Sequence, residues 1–259
     1  MAVNNRLAAK TAKNSNAVEY EAGGMKVRLT PEIVRNYLVS GNKEAVSMQE
    51  LAMFMNLCKY SQLNPWAKEA YCIKYGSEPA AMVVSKEAFQ KRAEANPNYD
   101  GSEAGIVVLD ESGEIVYRKG TIKLPGDEIV GGYAEVWRKD RTHSTRIEVS
   151  VDEYAGRKKD GSLNSQWSKR LATMIRKVAL VQALRETFPS AFGGMYTAEE
   201  QGTEEPEAYA MTPPVEEAAA VQAQVQAETE KAEQIEQKHE INAAAQKQTD
   251  VQAALFGNN

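Results

Sequence analysis

The chain contains few of the residues on which metal sites and hydrolases depend. Its 259 residues include two cysteines, Cys58 and Cys72, and two histidines, His143 and His239. The cysteines lack metal-ligand spacing, and one lies in a helical pattern while the other lies in a strand pattern. We therefore interpret both as reduced thiols in a core. A zinc site or a Ser-His-Asp hydrolase would find too few ligands or bases in this composition.

Long apolar runs and nucleotide-binding motifs are also missing. No apolar segment approaches the roughly twenty residues of a membrane-spanning helix, and the N-terminus has no secretory hydrophobic region. We therefore expect a cytoplasmic protein with no membrane partner. The phosphate-loop pattern G-x-x-x-x-G-K-[ST] does not occur, and the pairs Gly131-Gly132 and Gly193-Gly194 are typical of turns. This disfavours a strand-exchange protein that is driven by ATP.

Charge is distributed unevenly along the chain. The formal net charge is -5, from 31 basic and 36 acidic residues. Residues 201–259 hold eleven of the acids and three lysines, a net charge of -8, whereas residues 1–200 hold the other 28 basic and 25 acidic residues, a net charge of +3. This asymmetry is typical of a nucleic-acid-binding protein with an acidic interaction tail. A merely solubilising tail is an equally common explanation.

Capping and alternation patterns predict an α+β fold, in which helices back an antiparallel β-meander. Thr30-Pro31, Ser47 and Ser85 provide the residue types that begin a helix, and the first of these helices is predicted to reach about Val39. Asp152 is predicted to cap a short turn after the last strand. The predicted strands are 70–75, 80–84, 105–109, 115–119, 121–124, 133–138 and 146–151.

Composition divides the chain into three regions. Residues 1–29 begin with a small, polar stretch and are expected to form a mobile N-terminal arm. Residues 30–200 contain the predicted helices and strands and form the core. Residues 201–259 are rich in Ala, Gln and Glu, and we expect a largely disordered acidic C-terminal tail. Its Leu255-Phe256 pair is either a docking peptide or an end without a role.

The most informative segment is a long basic helix that is predicted to begin near Trp167 and to close the core. At about 100° per residue it separates an apolar face from a basic face, and no acid occurs between Lys169 and Glu186. Such a row of cations on an anchored helix suits a polyanion, while an ordinary basic surface helix is the alternative. The apolar face contains Leu171, Met174, Ile175, Val178 and Val181, and the basic face contains Lys169, Arg170, Arg176 and Lys177.

Two blocks of sequence carry a family resemblance. The first comprises residues 63–76 (LNPWAKEAYCIKYG) and 80–101 (AAMVVSKEAFQKRAEANPNYDG). The second joins a basic helix to an aromatic, Gly-rich turn and a Tyr followed by acids, and its residues are Met174, Ile175, Arg176, Lys177, Phe192, Gly193, Gly194, Met195, Tyr196, Glu199 and Glu200. In order and spacing, these blocks closely resemble the RecT/Bet family of phage recombinases, the single-strand annealing proteins. The resemblance lies within about residues 30–200.

The resemblance implies a phage or prophage recombinase in a bacterial host cell that binds single-stranded DNA and anneals complementary strands into duplex. It also implies self-association into rings or helical filaments, and a partner 5′-to-3′ exonuclease that supplies single strands. The acidic tail is a candidate contact for the host single-strand-binding protein. No ATP or other cofactor is expected, because pairing releases about 1 to 2 kcal/mol per base-pair step. Whether magnesium assists indirectly stays open.

The candidate DNA-binding residues are cations that can contact phosphates without reading sequence. Arg176 and Lys177 match the family signature, and Lys169 and Arg170 share their helix face. The others are Arg157, Lys158 and Lys159 of a loop, Lys86 and Arg92 of the helix after Ser85, and Arg141 of a turn. Plain solvent exposure is the alternative for the loop, and a hairpin tip that faces solvent or a neighbouring subunit is the alternative for the turn. Base stacking is open for Trp66, Tyr71, Tyr75, Trp137 and Trp167, although aromatic residues beside strands more often lie in a core.

Two other classes of protein compete with this interpretation. A metal-dependent nuclease commonly uses an Asp followed, on the next strand, by Glu-x-Lys. Here Asp127 and Glu135 precede Val136-Trp137-Arg138, so lysine is missing from the required place. The many acids nevertheless leave a nuclease open. A scaffold protein whose basic helix binds another protein is the second alternative.

Overall fold

The computed structural model describes residues 17–203. Helices and mainly antiparallel sheets are mixed along this part of the chain, which confirms the predicted α+β class. The strands are β1 (Val18–Ala22), β2 (Met25–Leu29), β3 (Val39–Gly41), β4 (Ala70–Lys74), β5 (Ala81–Val84), β6 (Tyr99–Leu109), β7 (Ile115–Lys119), β8 (Glu128–Arg138) and β9 (Thr145–Ser150). The helices are α1 (Pro31–Ile33), α2 (Met48–Tyr60), α3 (Lys86–Glu94), α4 (Val151–Tyr154), α5 (Ser165–Thr187) and α6 (Pro189–Phe192).

The largest sheet has four antiparallel strands in the order β7-β6-β8-β9, and α5 packs across one of its faces. Ile106 and Ala134 on that face are fully buried, as are Ile175 and Val178 of α5. Side chains alternate between the two faces of the sheet, so every second side chain along a strand packs against the helix. This helix-on-sheet layer holds the long basic helix in a fixed position, with its polar side toward the surface.

The pair Gly131-Gly132 corrects an expectation, because it lies inside β8 and not in a turn. A Cβ atom on Gly132 would lie 2.6 Å from the carbonyl oxygen of Ile175, and one on Gly131 would lie 2.6 Å from that of Val149. No side chain fits at these distances. Glycine is required at Gly132 because the backbones of α5 and β8 touch, and at Gly131 because the backbone of β9 lies as close.

A second sheet has the order β3-β4-β5, with β3 parallel and β5 antiparallel to β4. The strands predicted at 70–75 and 80–84 are confirmed as β4 and β5. The helix predicted after Thr30 is confirmed at its start, where the Thr30 hydroxyl accepts a hydrogen bond from the Ile33 N–H. It continues as a π-helical turn (Val34–Leu38) and ends there. The chain then enters β3, a short strand that the sequence did not predict.

Side-chain caps set the starts of the next two helices as predicted. The Glu50 N–H donates to the Ser47 hydroxyl at 3.2 Å, and the Ser47 N–H donates to the Glu50 carboxylate at 2.8 Å. This reciprocal capping box begins α2. The Ser85 hydroxyl accepts from the Ala88 N–H at 3.2 Å and begins α3. The position of α3 matters for the site described below.

The expectation of a mobile arm through residue 29 is wrong for Val18–Ala22 and Met25–Leu29. These segments pair as the hairpin β1-β2, which turns at Gly23 and Gly24 with φ values of +58° and +77°. Val27 and Leu29 are buried in the core. The apolar alternation of β2 outweighs the polar composition of the residues before it. Residues 1–16 and 204–259, which include most of the predicted arm and tail, lie outside the described residues.

Two smaller expectations also need correction. Residues 121–124 are a loop and not a strand, because Asp127 holds the loop by accepting from the Leu124 N–H at 2.7 Å and from Arg118 at 2.6 Å. Asp152 does not cap the turn after β9. The Ser150 hydroxyl does so by accepting from the Asp152 N–H at 3.2 Å. Within residues 17–203, every helix falls short of the length and apolar character needed to cross a bilayer.

Candidate nucleic-acid interface

A surface groove with a volume of about 640 Å³ lies between α5, the beginning of α3 and the segment that leads into β4. We call it the basic groove. Its charged lining consists of six basic and two acidic residues, and Tyr71 lies beside them. The charged residues are Lys68, Lys86, Lys169, Arg170, Arg176, Lys177, Glu87 and Glu199. The lining therefore has an excess of positive charge, as a polyanion site requires.

Five of the ten cations predicted to bind DNA lie along this groove. Lys86 comes from the first turn of α3, and the other four come from α5. The two helices are separated by about seventy residues of sequence, which include the whole four-stranded sheet. Folding therefore brings together two predicted groups that the sequence places far apart. The five are Lys86, Lys169, Arg170, Arg176 and Lys177.

The geometry of α5 distributes its cations over two parts of the groove. Arg170 has φ of -139° and ψ of 39°, so the helix is kinked there. Lys169 and Arg170 are exposed at this kink. The predicted basic row is therefore bent. Its exposed end can reach a ligand outside the helix surface, while Arg176 and Lys177 lie deeper in the groove.

Arg176 is held by the main sheet. Its Nε donates to the carbonyl oxygen of Ala104 at 3.1 Å, which ties the guanidinium to β6. A guanidinium carries five N–H donors in a rigid fork, so this bond orients the plane and uses one donor. A fixed orientation reduces the entropy lost when the remaining donors bind a phosphate.

Lys177 has a carboxylate partner inside the groove. Its Nζ lies 3.0 Å from Oε1 of Glu199, and the exposed fractions of the two side chains are 11% and 1%. The sequence placed Lys177 on the polar face of the helix, which is correct, but it did not predict this pairing. The positive charge of Lys177 is therefore partly balanced before any ligand binds.

The aromatic turn and the acids that follow α5, residues 192–200, close the core. We call this segment the clasp. Phe192 is fully buried and stacks on Phe89 of α3, with ring centroids 5.3 Å apart. The Tyr196 carbonyl accepts a hydrogen bond from the Val84 N–H at 2.8 Å, which joins the segment to the end of β5. These contacts indicate that the aromatic residues of the family signature serve mainly to pack the core. The second acid of the signature belongs to the same clasp.

That second acid, Glu200, pairs with Arg185 of α5. The NH1 group of Arg185 donates to one carboxylate oxygen at 3.0 Å, and its NH2 group donates to the other oxygen. The same guanidinium lies 4.8 Å from the centroid of the Tyr196 ring. The Arg185–Glu200 pair is outside the lining of the basic groove.

Four other predicted DNA contacts lie in exposed loops away from the groove lining. Arg157 pairs with Asp152 at 3.0 Å and donates to the Gly161 carbonyl at 3.2 Å. Lys158 and Lys159 are exposed in the same loop. Arg141 is exposed in the turn between β8 and β9.

Arg92, the tenth predicted contact, lies in a separate cavity of about 600 Å³ at the other end of α3. Its guanidinium donates to the Ser61 carbonyl, and burial lowers its pKa. Glu69 in the same cavity accepts from Lys91. These bonds give Arg92 and its neighbour a clear role in joining α3 to α2 and β4.

The five aromatic residues considered for base stacking lie in different environments. Tyr71 is half-buried and lines the basic groove. Trp167 is buried in the core, and Trp66 is half-buried against Tyr37 with ring centroids 6.3 Å apart. Tyr75 and Trp137 are outside the groove lining. Tyr71 alone among the five is placed beside the cations.

Lys68 is a groove residue that the sequence reasoning missed. It follows the turn at Pro65–Ala67, which is capped by Asn64, and it has a left-handed backbone with φ of 59°. Lys68 thus lines the same groove as the cations of α5. A single lysine in a mixed segment gives no charge pattern, so the Asn-Pro turn signal was the only clue.

The acids proposed for a nuclease serve other contacts. Asp127 accepts two hydrogen bonds from Arg118, which lower the pKa of its carboxyl, and Glu135 accepts from Ser144. No group of three or more His, Cys, Asp or Glu side chains in residues 17–203 is arranged to hold a metal ion. Cys58 and Cys72 are buried free thiols, as predicted, and burial raises the pKa of both to about 12.

Comparison with known proteins places this geometry in context. The model of the RecT family matches residues 27–212, which contain the whole basic groove. The chain is also 27% identical over 176 residues to a protein of Ureaplasma parvum serovar 3 that is named "Uncharacterized protein UU154". That alignment covers 66% of this chain and 71% of the relative.

Proposed function

The chain belongs to the RecT family, and is therefore a single-strand annealing recombination protein; from this premise we propose that the basic groove is where it binds single-stranded DNA. The observation that carries the proposal is the convergence of Lys86 with the four cations of α5 in one groove. Six basic groups in one lining can neutralise several consecutive phosphates, which is the main source of sequence-independent affinity.

The groove can hold a strand by its backbone and leave its bases free to pair. Its cations are four lysine ammonium groups and two guanidinium groups, of which that of Arg176 has a fixed orientation, and such groups contact phosphates. Tyr71 offers one aromatic surface on which a base can stack without regard to its identity. A strand held by its backbone presents its base edges to a complementary strand, and the protein remains bound to the annealed duplex.

Annealing by this route is independent of ATP and needs no cofactor. The free energy comes from base pairing, at about 1 to 2 kcal/mol per base-pair step, and no covalent bond changes. The protein lowers the repulsion between two polyanions and aligns them. It acts as a binding protein and not as an enzyme, and magnesium has at most an indirect effect on DNA charge.

Long strands require many copies of the protein. One groove neutralises only a few phosphates, so copies that assemble side by side in rings or helical filaments extend the same contact along the strand. The setting that fits is a phage or prophage recombination system in the bacterial cytoplasm. A 5′-to-3′ exonuclease supplies the strands, and residues 201–259, with a net charge of -8, contact the host single-strand-binding protein.

The function is tested with the purified full-length chain and two complementary oligonucleotides that carry a fluorophore and a quencher. Without ATP, the protein is expected to accelerate quenching and to leave both strands intact on a denaturing gel. Added magnesium is expected to produce no cleavage. Cleavage with magnesium would favour a nuclease, and absence of binding would favour a scaffold protein; either result overturns the proposal. Sedimentation with long strands added in sequence tests assembly, and monomers alone would contradict it.

A further inference from the structure

The two carboxylates in the lining of the basic groove differ sharply from each other. Glu87 is exposed, with 73% of its side-chain surface accessible, and it pairs with Lys86 at 3.2 Å. Water screens that pair strongly. Glu199 retains 1% of its side-chain exposure and lies 3.0 Å from Lys177. A buried negative charge in a groove for a polyanion opposes the function of the groove, and so needs an explanation.

Only one of the two carboxylate oxygens of Glu199 accepts a hydrogen bond, whereas a purely structural ion pair would satisfy both. Lys177 donates to Oε1, whereas Oε2 is buried and no group in residues 17–203 donates to it. A buried acceptor without a donor carries a desolvation cost. The adjacent Glu200 is the structural counterpart, because both of its oxygens accept hydrogen bonds from Arg185. The groove therefore keeps a carboxylate that is poorly satisfied, beside one that is fully satisfied.

We propose that Glu199 is a fixed counter-anion that competes with DNA phosphates for Lys177 and so weakens the hold of the groove on single strands. This inference rests on the proposed function of the groove. A phosphate that approaches Lys177 meets an ammonium whose charge is already partly balanced, and it is repelled by the nearby carboxylate. Glu199 thereby lowers affinity without touching the strand, because it reduces the contribution of Lys177 to single-strand binding.

A weakened groove has a physical advantage in annealing. Two strands that meet in the wrong register must separate and slide before they pair correctly. Tight phosphate contacts slow this motion, because every shift breaks them. A groove in which one cation is balanced internally keeps strands aligned but exchangeable. We therefore expect removal of the Glu199 charge to raise single-strand affinity and to slow correct annealing.

The test is Glu199→Gln in the full-length chain, since Gln keeps the shape and the acceptor for Lys177 but loses the charge. Affinity for a labelled oligonucleotide is expected to rise about fivefold at 0.1 M salt, and the salt slope is expected to steepen by about 0.7, the gain from one more phosphate contact. Glu200→Gln is the matched control, because it removes the same charge one residue away. Its affinity and slope are expected to equal those of the wild type.

A second variant guards against misfolding of the first. Lys177→Met with Glu199→Leu replaces the buried pair by apolar side chains, a change that folded proteins often tolerate. Its single-strand affinity is expected to be at least about fivefold weaker than that of Glu199→Gln, because the gain in that variant requires the Lys177 ammonium. Equal affinities of these two folded variants, or unchanged affinity in a folded Glu199→Gln variant, refute the inference. If the wild type itself fails to bind single strands, the proposed function fails instead.

Discussion

The contact between α5 and β8 at Gly132 gives a sharp prediction about stability. In Gly132→Ala, the new Cβ would lie 2.6 Å from the Ile175 carbonyl oxygen and 3.2 Å from the Arg176 nitrogen. Both neighbours are backbone atoms in the middle of α5, on the side that packs against the sheet, so they cannot rotate away. The helix must shift by several tenths of an ångström, and overpacking of this kind costs about 1–3 kcal/mol. For a domain of this size, the melting temperature should fall by about 3–9 °C.

The assay is urea unfolding of the full-length chain, followed by the fluorescence of the tryptophans, including buried Trp167. Gly193→Ala is the matched control, because its Cβ would meet nothing closer than the Pro189 carbonyl oxygen at 3.5 Å. That variant should be neutral within about 1 kcal/mol. Because Arg176 follows Ile175 on α5, the shift in Gly132→Ala should also weaken binding to the basic groove. Wild-type stability in Gly132→Ala would refute the close approach of helix and sheet.

Three further predictions concern the buried thiols, the Glu50 carboxylate and the basic loop. Cys58 and Cys72, with pKa values raised to about 12 by burial, should resist a thiol reagent at pH 8 in the folded protein and react fully in denaturant; rapid native reaction of either would contradict the burial. The pKa of Glu50 is lowered to about 2, first by its hydrogen bond to Lys74 and then by backbone N–H donors, so its stabilising effect is present above pH 4.5 and lost as pH falls toward 2. Glu50→Gln should therefore flatten the acid limb of the stability curve, and an unaltered limb would exclude this role. Lys158→Ala with Lys159→Ala should leave affinity for a short oligonucleotide unchanged, because both lysines lie outside the groove lining, and a salt slope flattened by about 1.4 would contradict this and assign the loop to the DNA path.

Local signals in the sequence were sufficient for the helix starts and for most strands. Thr30, Ser47 and Ser85 act through their own side chains on N–H groups three residues away, so nothing distant is needed to predict them. The alternation that predicted β9 is local in the same way. Where tertiary contact decides, prediction failed. Gly131-Gly132 looked like a turn because the need for glycine arises from β9 and α5, which are distant in sequence.

The candidate site was predictable in part for the same reason. The basic face of α5 is a property of one helix, so its four cations could be selected from periodicity and from the family signature. The separation of Lys86 from Arg92 depends on which end of α3 meets α5, which no local pattern contains. The Lys177–Glu199 pair depends on the return of the chain after α6. Lone residues such as Lys68 become visible only when folding places them beside others.

The central claim is that the cations of the basic groove contact DNA phosphates. The most direct measurement compares two variants of equal charge: Lys169→Ala with Arg170→Ala inside the groove, and Lys26→Ala with Lys59→Ala on exposed surface outside it. Affinity for single-stranded oligonucleotides of unrelated sequence is measured from 50 to 300 mM salt. The groove variant should bind all of them more weakly to the same degree, with a slope flattened by about 1.4, while the control keeps the wild-type slope. Equal slopes for the two variants, with both proteins folded, would contradict the assignment of the groove.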